Sequence, residues 1–192
     1  MKVPILFVHG FGGGRYEFKF IEWYLRKKGY TKFYEFYYIK NFGQVSLRKL
    51  AEELSEFVKG NIKEKEIDMI LISQGGIIGL YYLKHFNRKK VGKIITLCTP
   101  YQGSLTAYLL PLQGFMELRP GSSLLREINS YILKKRIDLY CIYSPLDLMI
   151  IPGWYAVPSR GRVKKVLAPL HPLVFWWPST LKFIEESLRD KS

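Results

Sequence analysis

The run Ile67-Asp68-Met69-Ile70-Leu71-Ile72-Ser73-Gln74-Gly75-Gly76 constrains this chain more than any other stretch. An apolar segment of strand character stops at a serine, glycines follow almost at once, and residues 77–86 read as a buried helix. The main chain must pass from strand to helix through a very tight corner. A serine on such a corner has its hydroxyl lifted clear of the sheet. The first N–H groups of the helix lie beside it with no intrahelical acceptor. Ser73 is therefore a candidate nucleophile, and the Gln74 N–H a candidate oxyanion donor. Taken alone, the stretch suits equally well an ordinary βα turn in which Ser73 caps the helix.

The rest of the chain repeats the strand-then-helix pattern. Residues 3–9 form a continuous apolar strand, followed by Gly10-Phe11-Gly12-Gly13-Gly14 and a helical pattern over 15–28 closed by Gly29. A second strand is expected over 32–39. Ser46 then opens an amphipathic helix with Leu47, Leu50, Ala51, Leu54, Phe57 and Val58 on one face, ended by Gly60. Further strands are expected over 93–98, 137–143 and 163–167, and a helix over 178–189. This alternation predicts an α/β fold, a doubly wound, mostly parallel sheet of about six strands with helices on both faces. Working groups in such sheets gather beyond the carboxyl ends of the strands. Residues 101–135 interrupt the rhythm with an apolar, broken piece before a short helix around 124–133. We expect this insertion to form a cap or one wall of a pocket. No repeat or linker divides the chain, so residues 1–192 read as one domain.

Composition removes several function classes. Hydrophobic residues make up 48% and aromatic residues 16% of the sequence, which sets disorder aside. Cys98 and Cys141 fall in expected strands and lack metal-ligand spacing; with three histidines and no Cys/His/Asp cluster in the sequence, no metal site is expected. The net charge of +14, with basic clusters at Arg26-Lys27-Lys28, Arg88-Lys89-Lys90, Lys134-Lys135-Arg136 and residues 160–165, suits a solvated lysine-rich surface or contact with anionic lipid headgroups. No nucleic-acid motif accompanies the charge. Arg15 stands where a dinucleotide fingerprint needs its last glycine, and no Walker-type Gly-Lys-Ser/Thr occurs. No apolar run reaches the roughly 18 residues of a membrane span, and no signal peptide precedes the first strand. A cytoplasmic protein, peripheral to membranes at most, is the expectation.

A serine nucleophile needs a base, and histidine is the usual one. His85 lies 12 residues beyond Ser73 on the following helix, roughly 18 Å away at the rise of an α-helix. His9 ends the first strand and is better read as shaping the glycine loop. His171 remains, in a loop just past the last strand. Asp147 follows the preceding strand amid apolar neighbours, where a carboxylate is costly unless paired; Asp68 and Asp138 begin their strands at the opposite edge. Ser73, Asp147 and His171 then form a nucleophile, acid and base, with Phe11 and Gln74 N–H groups as oxyanion donors.

Several motifs at this point resemble the α/β-hydrolases, and among them the small lipases and esterases. Val8-His9-Gly10-Phe11-Gly12-Gly13 resembles the family's oxyanion loop. Ile94-Ile95-Thr96-Leu97-Cys98-Thr99-Pro100-Tyr101-Gln102-Gly103-Ser104 resembles the lipase strand ending in Thr-Pro-x-x-Gly-Ser. Glu117-Leu118-Arg119-Pro120-Gly121-Ser122 is similar to the segment before the short helix, Ser144-Pro145-Leu146-Asp147 to the acid loop, and Leu170-His171-Pro172-Leu173 to the histidine loop. The resemblance spans nearly the whole chain. It implies the α/β-hydrolase fold without the family's first two strands, and ester hydrolysis through an acyl-enzyme with no metal or cofactor. One departure stands out: the family elbow is Gly-x-Ser-x-Gly, and Leu71 occupies the first position. Strand and helix nearly touch there, so Leu71 predicts either an opened elbow or unusually small neighbours.

Tyr101, Leu105, Leu109 and Trp176 are the expected walls of an apolar substrate pocket, which favours medium or long acyl esters. Transfer of the acyl group to another acceptor, thioester hydrolysis, and a non-catalytic binding role on the same scaffold are the alternatives. The sequence gives no oligomeric state.

Overall fold

The computed structural model describes residues 2–38, 43–86 and 90–190. Six parallel strands form one sheet: β1 (Ile5–Val8), β2 (Phe33–Phe36), β3 (Glu66–Ile72), β4 (Lys90–Leu97), β5 (Asp138–Tyr143) and β6 (Arg162–Lys165). Their spatial order is β2-β1-β3-β4-β5-β6, so the direction of winding reverses between β1 and β3. A doubly wound sheet opens a crevice at that point, beyond the carboxyl ends of the strands. The glycine loop after β1 and Ser73 after β3 flank it.

Side-chain alternation divides the interior into two layers. Leu6 and Val8 of β1 and Met69 and Leu71 of β3 pack on one face, against α2 (Leu47–Asn61), α3 (Gln74–His85) and α5 (Ser123–Lys134). Ile5, Phe7, Ile70 and Ile72 pack on the other, against α1 (Arg15–Lys27) and α7 (Pro178–Arg189). Both faces of the central strands are dry, hence their unbroken apolar composition. The elements match the expected pattern with small shifts. The helix from Ser46 runs past Gly60 to Asn61, and the Ser46 hydroxyl accepts the Arg48 N–H as its cap. Residue 39 and the basic pair Arg88-Lys89 lie outside the described residues.

Residues 101–135 divide into two parts. The later part is α5, a crossover helix between β4 and β5 with Leu124, Leu125, Ile128 and Ile132 buried. The earlier part, a 3-10 turn at Leu105–Tyr108 and the short α4 (Gln113–Glu117), is tied to α2, where the Glu117 carboxylate accepts the Leu47 N–H at 2.6 Å.

Helix α3 starts at Gln74, directly after the serine and earlier than the sequence suggests, because Gly75 and Gly76 form its first turn. A Cβ on Gly75 would run into the Val8 and His9 carbonyls, and one on Gly76 into the Thr99 side chain. Leu71 is accommodated by a small neighbour: a Cβ at Gly79 of α3 would stand 2.7 Å from Leu71 Cδ1. The space that the family's elbow opens on the strand is opened here on the helix. Gly79→Ala should therefore destabilise the protein by about 1–2 kcal/mol, because overpacking outweighs the gain in helix propensity. In a urea-denaturation cycle with Leu71→Ala, the double variant should lose less than the sum of the singles.

Candidate active site

Ser73 occupies a strained backbone position, φ 53° and ψ −126°, and its N–H donates to the Leu97 carbonyl of β4 at 2.8 Å. Cys98 is the other non-glycine residue with positive φ among the described residues, at 48°. Such conformations cost on the order of 1–3 kcal/mol and persist where surrounding packing imposes them. Here the imposition is visible. The glycine-loop backbone presses on the serine so closely that a Cβ on Gly10 would sit 2.9 Å from Ser73 Cβ.

Asp147 and His171 meet although they follow different strands. His171 Nδ1 and Asp147 Oδ2 are 2.6 Å apart, both residues are buried, and the other carboxylate oxygen accepts the Met149 and Ile150 N–H groups at 2.8 and 3.1 Å. Burial by itself would raise the Asp147 carboxyl. The His171 hydrogen bond and charge, with the two backbone donors, outweigh it and hold the carboxyl below its ordinary value. The carboxylate fixes the ring with Nδ1 toward the acid. His171 Nε2, the nitrogen a base would use, has no hydrogen-bond partner among the described residues, and no hydrogen bond joins it to Ser73. The ring edge rests against Phe175, with centroids 5.4 Å apart.

A buried polar network ties the glycine loop to the serine corner. The Gln74 side-chain amide donates to the Tyr38 hydroxyl at 2.9 Å, and that hydroxyl lies 2.9 Å from the His9 carbonyl oxygen. His9 stacks on Tyr38 with centroids 4.0 Å apart, while its Nδ1 reaches the Gly10 carbonyl at 2.8 Å. His9 thus acts within the loop, as expected, and burial lowers its pKa. His85 lies elsewhere, 2.6 Å from Glu127 on α5.

A small cavity of about 60 Å³ opens beside Ser73, lined among others by Phe11, Gln74, Ala107, Phe115, Leu118 and Met149. The expected walls are placed differently. Tyr101 is fully buried in the core, its hydroxyl 2.7 Å from Thr96 Oγ1, because Thr96 offers it a partner inside the sheet. Leu105 and Leu109 point outward from the 3-10 turn, which turns Ala107 inward instead. Trp176 is half exposed on α6 (Leu173–Trp176), whereas Phe175 fills the core.

Three neighbours escape sequence reasoning. The fully buried Cys98 thiol lies within 4.8 Å of both Asp147 and His171. Cys98, Asp147 and His171 are the one group among the described residues with donor atoms placed to hold a metal ion. Burial and the facing Asp147 carboxylate push the thiol well above its ordinary pKa, and the imidazole is already committed to the carboxylate. A thiolate nucleophile or ligand is therefore disfavoured. Glu17 on α1 accepts the Gly10 N–H at 3.3 Å, and burial raises its pKa against the pull of His171. Tyr38 is the third. Each reaches the site from a distant segment of the chain, and no local sequence signal marks it.

This sheet and crevice are those of the α/β-hydrolase fold. No protein-family model matches the sequence. Among solved structures, the mature form of a Bacillus licheniformis lipase superposes with a TM-score of 0.76 at 14% identity, covering 97% of this chain and 92% of that one. A monoacylglycerol lipase from Paleococcus ferrophilus does so at 0.69 and 12%, over 96% and 93%. A bromoperoxidase from Bacillus anthracis matches at 0.75 and 10%, over 99% and 93%. The likeness is one of fold, shared by proteins of different reported chemistry.

Tyr38→Phe removes the hydroxyl between Gln74 and the His9 carbonyl. It should cost about 1–3 kcal/mol in urea denaturation, the penalty of leaving buried polar groups unpaired.

Proposed function

We propose that this protein is a serine hydrolase of carboxylic esters, with Ser73 as nucleophile, His171 as base and Asp147 as acid. The observation that carries the reading is the buried pair of His171 Nδ1 and Asp147 Oδ2 at 2.6 Å, set at the same sheet edge as the strained Ser73. Asp147 holds the imidazole in the tautomer that leaves Nε2 able to accept a proton. When the substrate carbonyl arrives, Ser73 Oγ attacks the carbon and Nε2 takes the hydroxyl proton. The Gln74 and Phe11 N–H groups stabilise the tetrahedral oxyanion. The imidazolium then gives its proton to the departing alkoxide, leaving an acyl-serine. Water, deprotonated by the same nitrogen, attacks the acyl carbon; the bond to Ser73 Oγ then breaks, the imidazolium returns its proton to that oxygen, and the carboxylic acid leaves. Contact between Ser73 and His171 would tighten as substrate binds, as is common at such sites.

The likeness to a lipase and a monoacylglycerol lipase supports esters as substrates, and the local geometry supports the reaction type. The cavity beside Ser73 is too small to enclose a long acyl chain, so such a chain would lie along the rim outside it. That rim is apolar. Leu105 and Leu109 from the 3-10 turn, and Leu146, Leu148 and Met149 from the acid loop, are all exposed. The Thr106 hydroxyl fastens the two segments together through the Met149 carbonyl at 2.7 Å. Medium or long acyl esters fit this surface best.

A fluorophosphonate probe tests the reading. The protein should become labelled, Ser73→Ala should abolish labelling, and Asp147→Asn should slow p-nitrophenyl ester hydrolysis by about 10³–10⁴-fold. An unlabelled wild-type protein would remove the proposal. Hydrolysis confined to the acetate ester would remove its chain-length part.

A further inference from the structure

The outward face of α1 is unlike that of an ordinary surface helix. Phe18, Ile21 and Leu25 are buried against the sheet, as amphipathic spacing requires. The opposite face should be polar, yet Tyr16, Phe20 and Trp23 follow one another along it at helical spacing, 88%, 40% and 49% exposed. Phe20 and Trp23 stack with centroids 5.5 Å apart, and Lys27 Nζ continues the line 3.9 Å above the Trp23 ring. Tyr37, also exposed, adjoins the upper end, where a Cβ on Gly14 would stand 3.2 Å from its ring. Single exposed aromatics are unremarkable on a protein surface, but a contiguous row implies something that covers it.

Basic residues flank the row. Lys19 and Arg26, each more than half exposed, pair with Glu22, and Lys19 also with Glu35. Lys27 has no acidic partner among the described residues, and the chain as a whole carries +14. Tyrosine and tryptophan prefer the boundary between lipid headgroups and acyl chains, and lysine and arginine are drawn to anionic headgroups. A helix lying in that boundary buries aromatic side chains and turns basic ones to the phosphates.

We propose that the Tyr16–Phe20–Trp23 face of α1, with Lys19, Arg26 and Lys27 beside it, docks the protein on an anionic lipid surface. Docking does not require Ser73 to be catalytic. Its use in delivering substrate does rest on the hydrolase reading, since the row begins just past the loop that carries Phe11. The face is already helical, so no segment has to fold for it to bind.

Co-sedimentation with phosphatidylcholine vesicles, with and without phosphatidylserine, tests this. The wild-type protein should bind the anionic vesicles at least about tenfold more tightly than the variant carrying Tyr16→Ser, Phe20→Ser and Trp23→Ser together. Added salt should weaken binding. Lys19→Glu with Lys27→Glu should weaken it on anionic vesicles alone; this pair, with Trp23→Ser, carries the test if the triple variant fails to fold by circular dichroism. Equal binding by wild type and folded variants overturns the proposal. So does a wild-type dimer in analytical ultracentrifugation that the variants dissociate while no form binds vesicles, since the row would then be a contact between copies. Hydrolysis of p-nitrophenyl butyrate in solution, expected unchanged in the variants, keeps the two readings apart. Vesicle binding without any hydrolysis would sink the enzymatic reading and leave the docking intact.

Discussion

Three backbones converge within van der Waals distance at Ser73, and most of the surrounding sequence follows from that crowding. The turn after β1, the corner after β3 and the end of β4 occupy space where three side chains would not fit, so Gly10, Gly75 and Gly76 stand there. The left-handed conformation of Ser73 is paid for by the sheet that clamps it through Leu97. In return Ser73 sits beside the cavity and directly before a helix N-terminus, the placement that the proposed acyl transfer would use. Leu71 shows that the constraint concerns total volume at the contact rather than one position, because Gly79 supplies the room that the strand withholds.

The polar groups around the corner are nearly all buried, so each must be satisfied or placed for use. Asp147 accepts three hydrogen bonds, from one imidazole and two main-chain N–H groups, enough to keep it ionised in apolar surroundings. Tyr38 and Gln74 link the two halves of the proposed oxyanion site, so the spacing between its donors is set by a side-chain bridge as well as by the main chain. Among the described residues at this corner, His171 Nε2 and Thr99 Oγ1 are the exceptions. The imidazole nitrogen is buried and unpaired, free to accept a proton, in the proposed reaction that of the Ser73 hydroxyl.

The architecture was readable in the sequence because apolar runs, glycines and caps report locally on strands, turns and helix ends. Ser73, Asp147 and His171 were readable as candidates because each follows a different strand, and because His9 and His85 could be set aside by position. The pocket walls were not. Tyr101 looks like a pocket aromatic until Thr96 is seen to hold its hydroxyl inside the core, and Leu105 loses its place to the smaller Ala107 through the pitch of a single 3-10 turn. Cys98, Glu17 and Tyr38 acquire their surroundings through contacts between distant segments, which neither composition nor periodicity encodes.

Strand β6 closes one side of the sheet with four residues, Arg162 to Lys165, three of them exposed. An open parallel border of this kind offers main-chain donors and acceptors to any extended segment that comes alongside. Arg162 is paired with Asp190, but Lys164 and Lys165 sit on that margin, and a second molecule approaching edge to edge would bring identical cations against them. Repulsion between like copies thereby protects the sheet from growing into an aggregate.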